Sequence, residues 1–353
     1  MSEYTVDALI AAAAERGASD LHLVCSLPPQ LRVDGTLSAL EGAAPLTHED
    51  CEAYADALSC GRAEAIRGCG ELDLARTVGG VRVRINLFRQ QGHVSAAVRL
   101  LSDRIPRLDR LGLPPAVTGL TGLRRGIVLV TGETGSGKST TLAALLDDIN
   151  HRRGGHIVTL EDPIEYLYTP DKAVINQREV GRDTASYADG LRAALREDPD
   201  VVLIGEMRDL DTIETALAAA ETGHLVFATL HTGSAADSVD RITSVFPQGR
   251  QQQIRMQLSM TLQAVLSQQL LPRADGAGRA LACEVLMVNS AVRNLIREGK
   301  TPQIANTLAT SARDGSLTMD NAILKLYQSR TISAATARAW ARDPEYLKKT
   351  IPG

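Results

Sequence analysis

Residues 126–150, GIVLVTGETGSGKSTTLAALLDDIN, decide the fold. The run GIVLV reads as a buried strand, and after it Leu142, Leu145, Leu146 and Ile149 recur at helical spacing. Between them Gly132, Glu133, Thr134, Gly135, Ser136, Gly137, Lys138 and Ser139 satisfy the pattern G-x-x-x-x-G-K-[ST], with Thr140 next in line. The glycines let the backbone wrap so that successive N–H groups face phosphate oxygens. Lys138 is then placed to reach the β and γ phosphates of a nucleotide, and the Ser139 hydroxyl to hold Mg²⁺. A strand before and a helix after put the phosphates at a helix N-terminus, where the macrodipole favours anions.

A phosphate loop needs a second strand that ends in an acid. DVVLIGE, residues 200–206, supplies one, and adjacent strands of a single sheet are expected to bring Glu206 beside the metal and the attacking water. Glu206 is the candidate general base or water-positioning residue. HIVTL is followed by Glu161, Asp162 and Glu165, carboxylates at a strand end where they could tune the water or the metal; alone, the same run reads as a charged loop. His224 and His231 flank LVFATL seven residues apart and face opposite ways on a regular strand. One is expected at the nucleotide and the other as a structural histidine.

The runs HIVTL, AVI, VVLIGE and LVFATL alternate with helical patterns, which predicts a layered α/β core with parallel strands over 123–289. After about 290 the pattern is helical to 353, with Ser290, Ser316 or Thr318, and Ser333 as N-caps. Toward the N-terminus, 102–122 concentrates Pro and Gly and breaks both periodicities, as a linker or hinge does. Residues 1–101 read as a small mixed α and β domain. In it Val6, Leu9, Ile10, Ala13 and Ala14 make one helix that Gly17 stops, a second helical stretch covers 47–66, and hairpins turn at Asp34-Gly35 and Gly79-Gly80.

Composition narrows the function. The 353 residues carry a net charge of -4 and only 3% aromatics, so neither a global positive field nor base-stacking platforms would draw nucleic acid. Of the 38 basic residues all but six are arginine, which makes Lys138 unlikely to stand where it does by accident. Cys25, Cys51, Cys60, Cys69 and Cys283 form no C-x-x-C pair, which fits a reducing compartment and no zinc site. No signal-like start and no run of 18 apolar residues occur, so a cytoplasmic protein that meets the membrane only through a partner is expected.

The succession GETGSGKSTT, TLEDPIEY, NQREVGRDTASYADGLRAALREDPDVVLIGEMRD, TGHLVFATLHTGSA and VDRITSVFP resembles the secretion ATPase superfamily, the hexameric motors of type IV pili and type II secretion, over almost the whole chain. The resemblance implies a RecA-like P-loop NTPase core with an N-terminal PAS-like α+β domain and a C-terminal helical tail. It implies an ATPase with Mg²⁺, working as a homohexamer on an inner-membrane platform protein, in some cases beside a paralogous motor. Glu165 matches the acidic-box glutamate, Glu206 the Walker B glutamate, His224 and His231 the histidine-box pair. Arg84, Arg99, Arg192 and Arg196 match arginines that reach nucleotide, often across a subunit boundary, and Arg192 and Arg196 also read as a pair on one helical face. Assembly motors commonly carry a four-cysteine loop before the strand GRALACEVLM; this chain has none, which favours the retraction branch. AVRNLIREGK resembles that branch's C-terminal signature helix. There Leu295 and Ile296 belong to a packing face, Arg293 and Arg297 are expected exposed, and Asn294 and Glu298 complete the motif. Glu133 stands where pilus motors often have Pro. Extension or type II secretion motors, a RecA-like nucleic-acid translocase and a non-hydrolysing scaffold are the alternatives.

Overall fold

The computed structural model describes residues 4–33, 35–101, 104–276 and 278–351, without the side chains of Arg67 and Cys69. Asp34 of the predicted hairpin and Ser102 and Asp103 of the predicted linker lie outside these. The chain divides into two compact units, Met1–Arg104 with Pro163–Leu167, and Ile105–Asp162 with Tyr168–Gly353.

The first unit runs α1 (Val6–Glu15), β1 (Asp20–Leu23), β2 (Gln30–Val33), β3 (Thr36–Ala39), α2 (His48–Leu58), α3 (Ala63–Cys69), β4 (Glu71–Val78), β5 (Val81–Gln90) and β6 (His93–Leu100). Its six strands form an antiparallel sheet in the order β3-β2-β1-β6-β5-β4. Val83, Ile85 and Leu87 of β5 alternate into the core, where Leu9, Ile10 and Ala13 of α1 meet them. At the Gly79-Gly80 turn both residues have positive φ and Val78 pairs with Val81, the geometry of a tight hairpin. Val33 pairs with Thr36 across the other turn. The stretch predicted as one helix over 47–66 is two, because Cys60 and Gly61 both take positive φ after the Thr47–Asp50 capping box has started α2.

The second unit contains β7 (Gly126–Thr131), α4 (Lys138–Arg152), β8 (Gly155–Glu161), β9 (Ala173–Glu179), α5 (Tyr187–Ala194), β10 (Val201–Ile204), α6 (Leu210–Glu221), β11 (Leu225–Leu230), α7 (Ala235–Ser244) and α8 (Gln248–Thr261). It continues with β12 (Leu262–Pro272), β13 (Arg279–Met287), α9 (Ser290–Glu298), α10 (Ile304–Thr310), α11 (Met319–Gln328), α12 (Ala334–Ala339) and α13 (Pro344–Thr350). The sheet order is β13-β12-β7-β11-β10-β8-β9, parallel except for β13. Every residue of β7, β10 and β11 is buried, as strands covered by helices on both faces must be. The second unit has the layered α/β core expected from the strand pattern, and the two units are the RecA-like core and the PAS-like α+β domain that the family resemblance implies.

Three features depart from expectation. β12 follows α8 with no Gly or Pro between them, Leu262 switching to extended backbone, so the boundary carries no punctuation in the sequence. The stretch 102–122 is no free linker over its length: Leu108, Val117 and Leu120 are buried with Val128, Val130, Leu142 and Leu145 of the second unit. Apolar burial of that kind outweighs what its Pro and Gly content suggests. Finally α9 is capped by Asn289, whose side chain accepts from the Val292 N–H, one residue before the expected Ser290; Thr318 and Ser333 cap α11 and α12.

Candidate functional site

The phosphate loop lies between β7 and α4, and its shape is dictated by what its glycines permit. Gly132 has φ +139, and a Cβ there would lie 2.5 Å from the Gln268 carbonyl oxygen and 2.6 Å from Ser136 Oγ. Gly137 has φ +91 and is the N-cap from which Lys138 starts the helix. The Lys138 ammonium donates to the carbonyls of Gly132 at 2.7 Å and Glu133 at 2.9 Å, so its charge sits over the loop. Arg279, from β13, donates to the Gly135 carbonyl at 3.4 Å. The Ser136 hydroxyl is buried with no hydrogen-bond partner among the described residues. A buried orphan donor costs on the order of 1–3 kcal/mol unless something accepts from it. Glu133, Thr134, Gly135 and Ser139 are exposed and Thr140 is half-buried, so the Glu133 carboxylate points into solvent while the backbone forms the cradle. The orphan donor, the helix N-terminus and the exposed Ser139 hydroxyl together suit a phosphate group with a divalent cation.

Glu206 follows β10 and Gly205. A Cβ at Gly205 would lie 2.8 Å from the Tyr187 hydroxyl, which is why the strand ends in glycine there. Contrary to the expectation of adjacent strands, β10 does not neighbour β7, because β11 lies between them. All three strands are parallel, so the phosphate loop, Glu206 and the residue after β11 leave the same edge of the sheet. That last residue is His231. Its Nε2 lies 3.3 Å from Glu206 Oε2, and an Arg208 guanidinium nitrogen lies 2.7 Å from the same oxygen. Burial pushes the Glu206 carboxyl up, but Arg208 and His231 outweigh it and hold it below the ordinary carboxylate value. Arg208 was missed in the sequence reading; its spacing, two residues from a strand-end carboxylate, was the available signal.

His224 is at the other end of β11. Its Nδ1 is 2.9 Å from the Ala219 carbonyl and 3.2 Å from Thr222 Oγ1, where it closes the turn after α6. Six strand residues at about 3.3 Å each separate the two histidines, so they do not act at one nucleotide within a chain. Of the acidic run, Glu161 is spent inside the sheet, accepting from Thr159 at 2.6 Å and from Gln177 at 3.3 Å. Glu165 belongs to the first unit, with its carboxylate 4.0 Å from the Arg84 guanidinium.

The four arginines fall into two sets. Arg84 and Arg99 sit directly opposite each other on β5 and β6, each held by a carboxylate: Asp73 at 2.6 Å and Asp20 at 3.0 Å. Arg192 lies on α5, 3.2 Å from Asp189 and 4.0 Å from Asp211. Arg196 is not on one helical face with it, because α5 ends at Ala194; its side chain donates to the Arg192 carbonyl at 3.3 Å. Within α9, Val292 and Ile296 are buried, Leu295 packs beside them, and Arg297 is exposed. Arg293 is not free on the surface. Its guanidinium caps the end of α8, donating to the carbonyls of Ser259 at 2.6 Å and Met260 at 3.2 Å and to Gln263 at 3.2 Å. Asn294 donates to Glu298 at 2.7 Å, and Lys300 pairs with Glu298 at the same distance.

Residues 72–314 match the family described as Type II/IV secretion system protein. The chain is 44% identical over 339 residues to the Type IV pilus retractation ATPase PilT of Pseudomonas aeruginosa, covering 96% of this chain and 98% of that one. It is 36% identical over 350 residues to the Type IV pilus ATPase PilU of the same organism, covering 96% and 88%. A crystal structure of the pilus retraction motor PilT with bound ADP matches at a TM-score of 0.91 and 45% identity, over 98% of this chain and 100% of that one.

Proposed function

The chain belongs to the type II/IV secretion system protein family, and on that premise we propose that it is a motor ATPase that drives retraction of a type IV pilus. The observation that carries hydrolysis is the Glu206 carboxylate, held ionised by Arg208 and His231 at the sheet edge from which the phosphate loop emerges. ATP is the substrate. Its phosphates lie on the backbone amides of 132–139, the Lys138 ammonium turns from the loop carbonyls to the β and γ phosphates, and the Ser136 hydroxyl gains an acceptor. Ser139 would hold Mg²⁺, which neutralises charge on the phosphate oxygens. Glu206 orients a water in line with the γ-phosphate and accepts its proton as the bond to the β-phosphate oxygen breaks. With Oε2 engaged by Arg208 and His231, the carboxylate has its second oxygen, Oε1, to offer the water.

Retraction rather than assembly is supported by full-length likeness to a pilus retraction ATPase and by a β12–β13 connection without cysteines. The motor works as a homohexamer in the cytoplasm, peripheral to the membrane through a platform protein, with a paralogue as a further partner. Arg84, Arg99, Arg192 and Arg196 complete nucleotide sites across subunit boundaries, and Glu165 acts beside Arg84. Arg297, Asn294 and Glu298 present the outer face of α9 to a partner. Among the described residues no helix is long and apolar enough to cross a membrane.

Two measurements test the proposal. Purified protein releases phosphate from ATP in a Mg²⁺-dependent reaction that single-stranded DNA does not stimulate; a preparation that binds ATP without phosphate release would leave only a nucleotide-dependent scaffold. Deleting the gene leaves surface pili in place while abolishing surface motility. A deletion strain without pili would instead assign the chain to assembly.

A further inference from the structure

His231, the partner of Glu206, stands in a short loop pinned from an unexpected direction. Only residues 231–234 separate the end of β11 from the start of α7. The β11 end is fixed by the sheet, where Leu230 pairs with Thr131, Thr131 with Ser267 and Ser267 with Glu284 in one row. The α7 end is fixed by Glu284 itself. This carboxylate is 5% exposed, and its Oε1 accepts the Ala235 N–H at 3.0 Å. Its Oε2 meets the Arg342 guanidinium at 2.6 Å, and the other guanidinium nitrogen of Arg342 donates to the Gly233 carbonyl. Arg342 follows α12, and its backbone is held in turn: Asp320 of α11 accepts the N–H groups of Arg342 at 2.8 Å and Asp343 at 3.0 Å.

We propose that Arg342 and Glu284 are positioning residues for hydrolysis, through which the C-terminal helices hold the loop that sets His231 against Glu206. The inference rests on the reading of Glu206 as the residue that activates water. A buried carboxylate without a counter-charge is expensive, so removing Arg342 forces Glu284 to move or to hydrate, and either change releases Ala235 and Gly233. The planar guanidinium binds the carboxylate and the loop carbonyl at once, which a lysine ammonium with its single nitrogen does not reproduce. His231 then drifts from Oε2 while the phosphate loop keeps its form, because its helix α4 packs on the opposite face of the sheet, with Val128, Val130 and Val285. The expected signature is a loss in turnover without a loss in nucleotide binding.

The test uses the full-length assembled protein, measuring steady-state phosphate release and equilibrium binding of a fluorescent ADP analogue. Arg342→Ala should lower kcat roughly tenfold, as displacement of a catalytic group by a fraction of an ångström does, with KM and analogue affinity within about twofold of the parent. Arg342→Lys should recover only part of the loss. The decisive arm is a double-mutant cycle with His231→Ala: in that background Arg342→Ala should cost no more than about twofold, because the group it positions is gone. If Arg342→Ala does not fold, Glu284→Gln takes its place in the cycle, since it keeps an acceptor for Ala235 and removes the charge. Unchanged kcat, the same loss in both backgrounds, or a rise in KM or in the analogue's dissociation constant matching the loss would overturn the proposal. A parent protein that releases no phosphate would overturn the proposed hydrolysis instead.

Discussion

Replacing Gly132 by alanine tests whether the phosphate cradle is set by close backbone approach or by conformational freedom alone. A Cβ at this position would lie 2.5 Å from the backbone oxygen of Gln268, inside the 3.0 Å that real Cβ contacts essentially never breach. The Ser136 side chain, 2.6 Å away, can rotate; the Gln268 carbonyl cannot, because β12 is paired to β7 through Ser267 and Thr131. The φ of +139 adds strain that an L-residue does not relieve. Backbone strain of about 1–3 kcal/mol and an overpacking term of similar size give roughly 2–6 kcal/mol for Gly132→Ala, about 4 kcal/mol at the midpoint. Gly135 is the internal control: its φ is +79 but a Cβ there meets nothing within 4 Å, so Gly135→Ala should cost about 1–2 kcal/mol. At about 2–4 °C per kcal/mol for a unit of this size, Gly132→Ala should unfold some 5–10 °C below Gly135→Ala in a thermal scan followed by circular dichroism. It should also lose affinity for a fluorescent ADP analogue. Two variants that unfold within about 2 °C of each other would refute the close-approach argument.

Glu206→Gln preserves size but removes the charge that accepts a proton, so it should retain ATP and lose turnover by roughly 10²–10⁴; undiminished steady-state phosphate release would remove Glu206 from catalysis. Lys138→Ala should abolish turnover and weaken binding of the same fluorescent analogue; full affinity would show that the ammonium does not reach the phosphates. The folded Glu206 carboxyl titrates below its free value of 4.5, so its ionised form contributes stability above that value that is lost as pH falls through the folded pKa. Activity should therefore hold from neutral pH to below about pH 5, and Arg208→Ala should move the acid limb of the kcat profile upward by releasing one partner; an unmoved limb would mean Arg208 does not hold the charge. Arg293→Ala uncaps the end of α8 and should cost about 1–2 kcal/mol in urea unfolding with kcat per folded protein unchanged; an effect below 0.5 kcal/mol would show the cap is not used.

The strand-loop-helix of 126–150 was legible because its chemistry is local. Glycine positions, one lysine and one hydroxyl at fixed spacing specify a phosphate cradle whatever surrounds them, and uninterrupted apolar runs specify strands buried on both faces. The same holds for the hairpin at Gly79-Gly80, whose turn and alternating face lie in one short stretch. β12 was not legible: α8 passes into it through Leu262 without a turn residue, and only pairing with β7 and β13 makes that Gln-rich segment a strand. Nor was the 102–122 stretch, where burial of Val117 and Leu120 against α4 overrides a linker-like composition.

The site divides along the same line. Sequence alone determined that a pattern suited to a nucleotide's phosphates stands at 132–139 and that a strand-end carboxylate is available at 206, because each is a property of a few consecutive residues. Tertiary structure decided which side chains share that carboxylate. Strand order interposed β11 between β7 and β10, which brought His231 to the carboxylate that the neighbouring Arg208 already holds and sent His224 to the far end of the sheet. It also turned Arg293 inward onto α8 and set Arg342 against a glutamate 58 residues away. Such partnerships depend on how strands are ordered and how helices return across them. A chain of residue types does not encode those distances until long-range burial has chosen one topology.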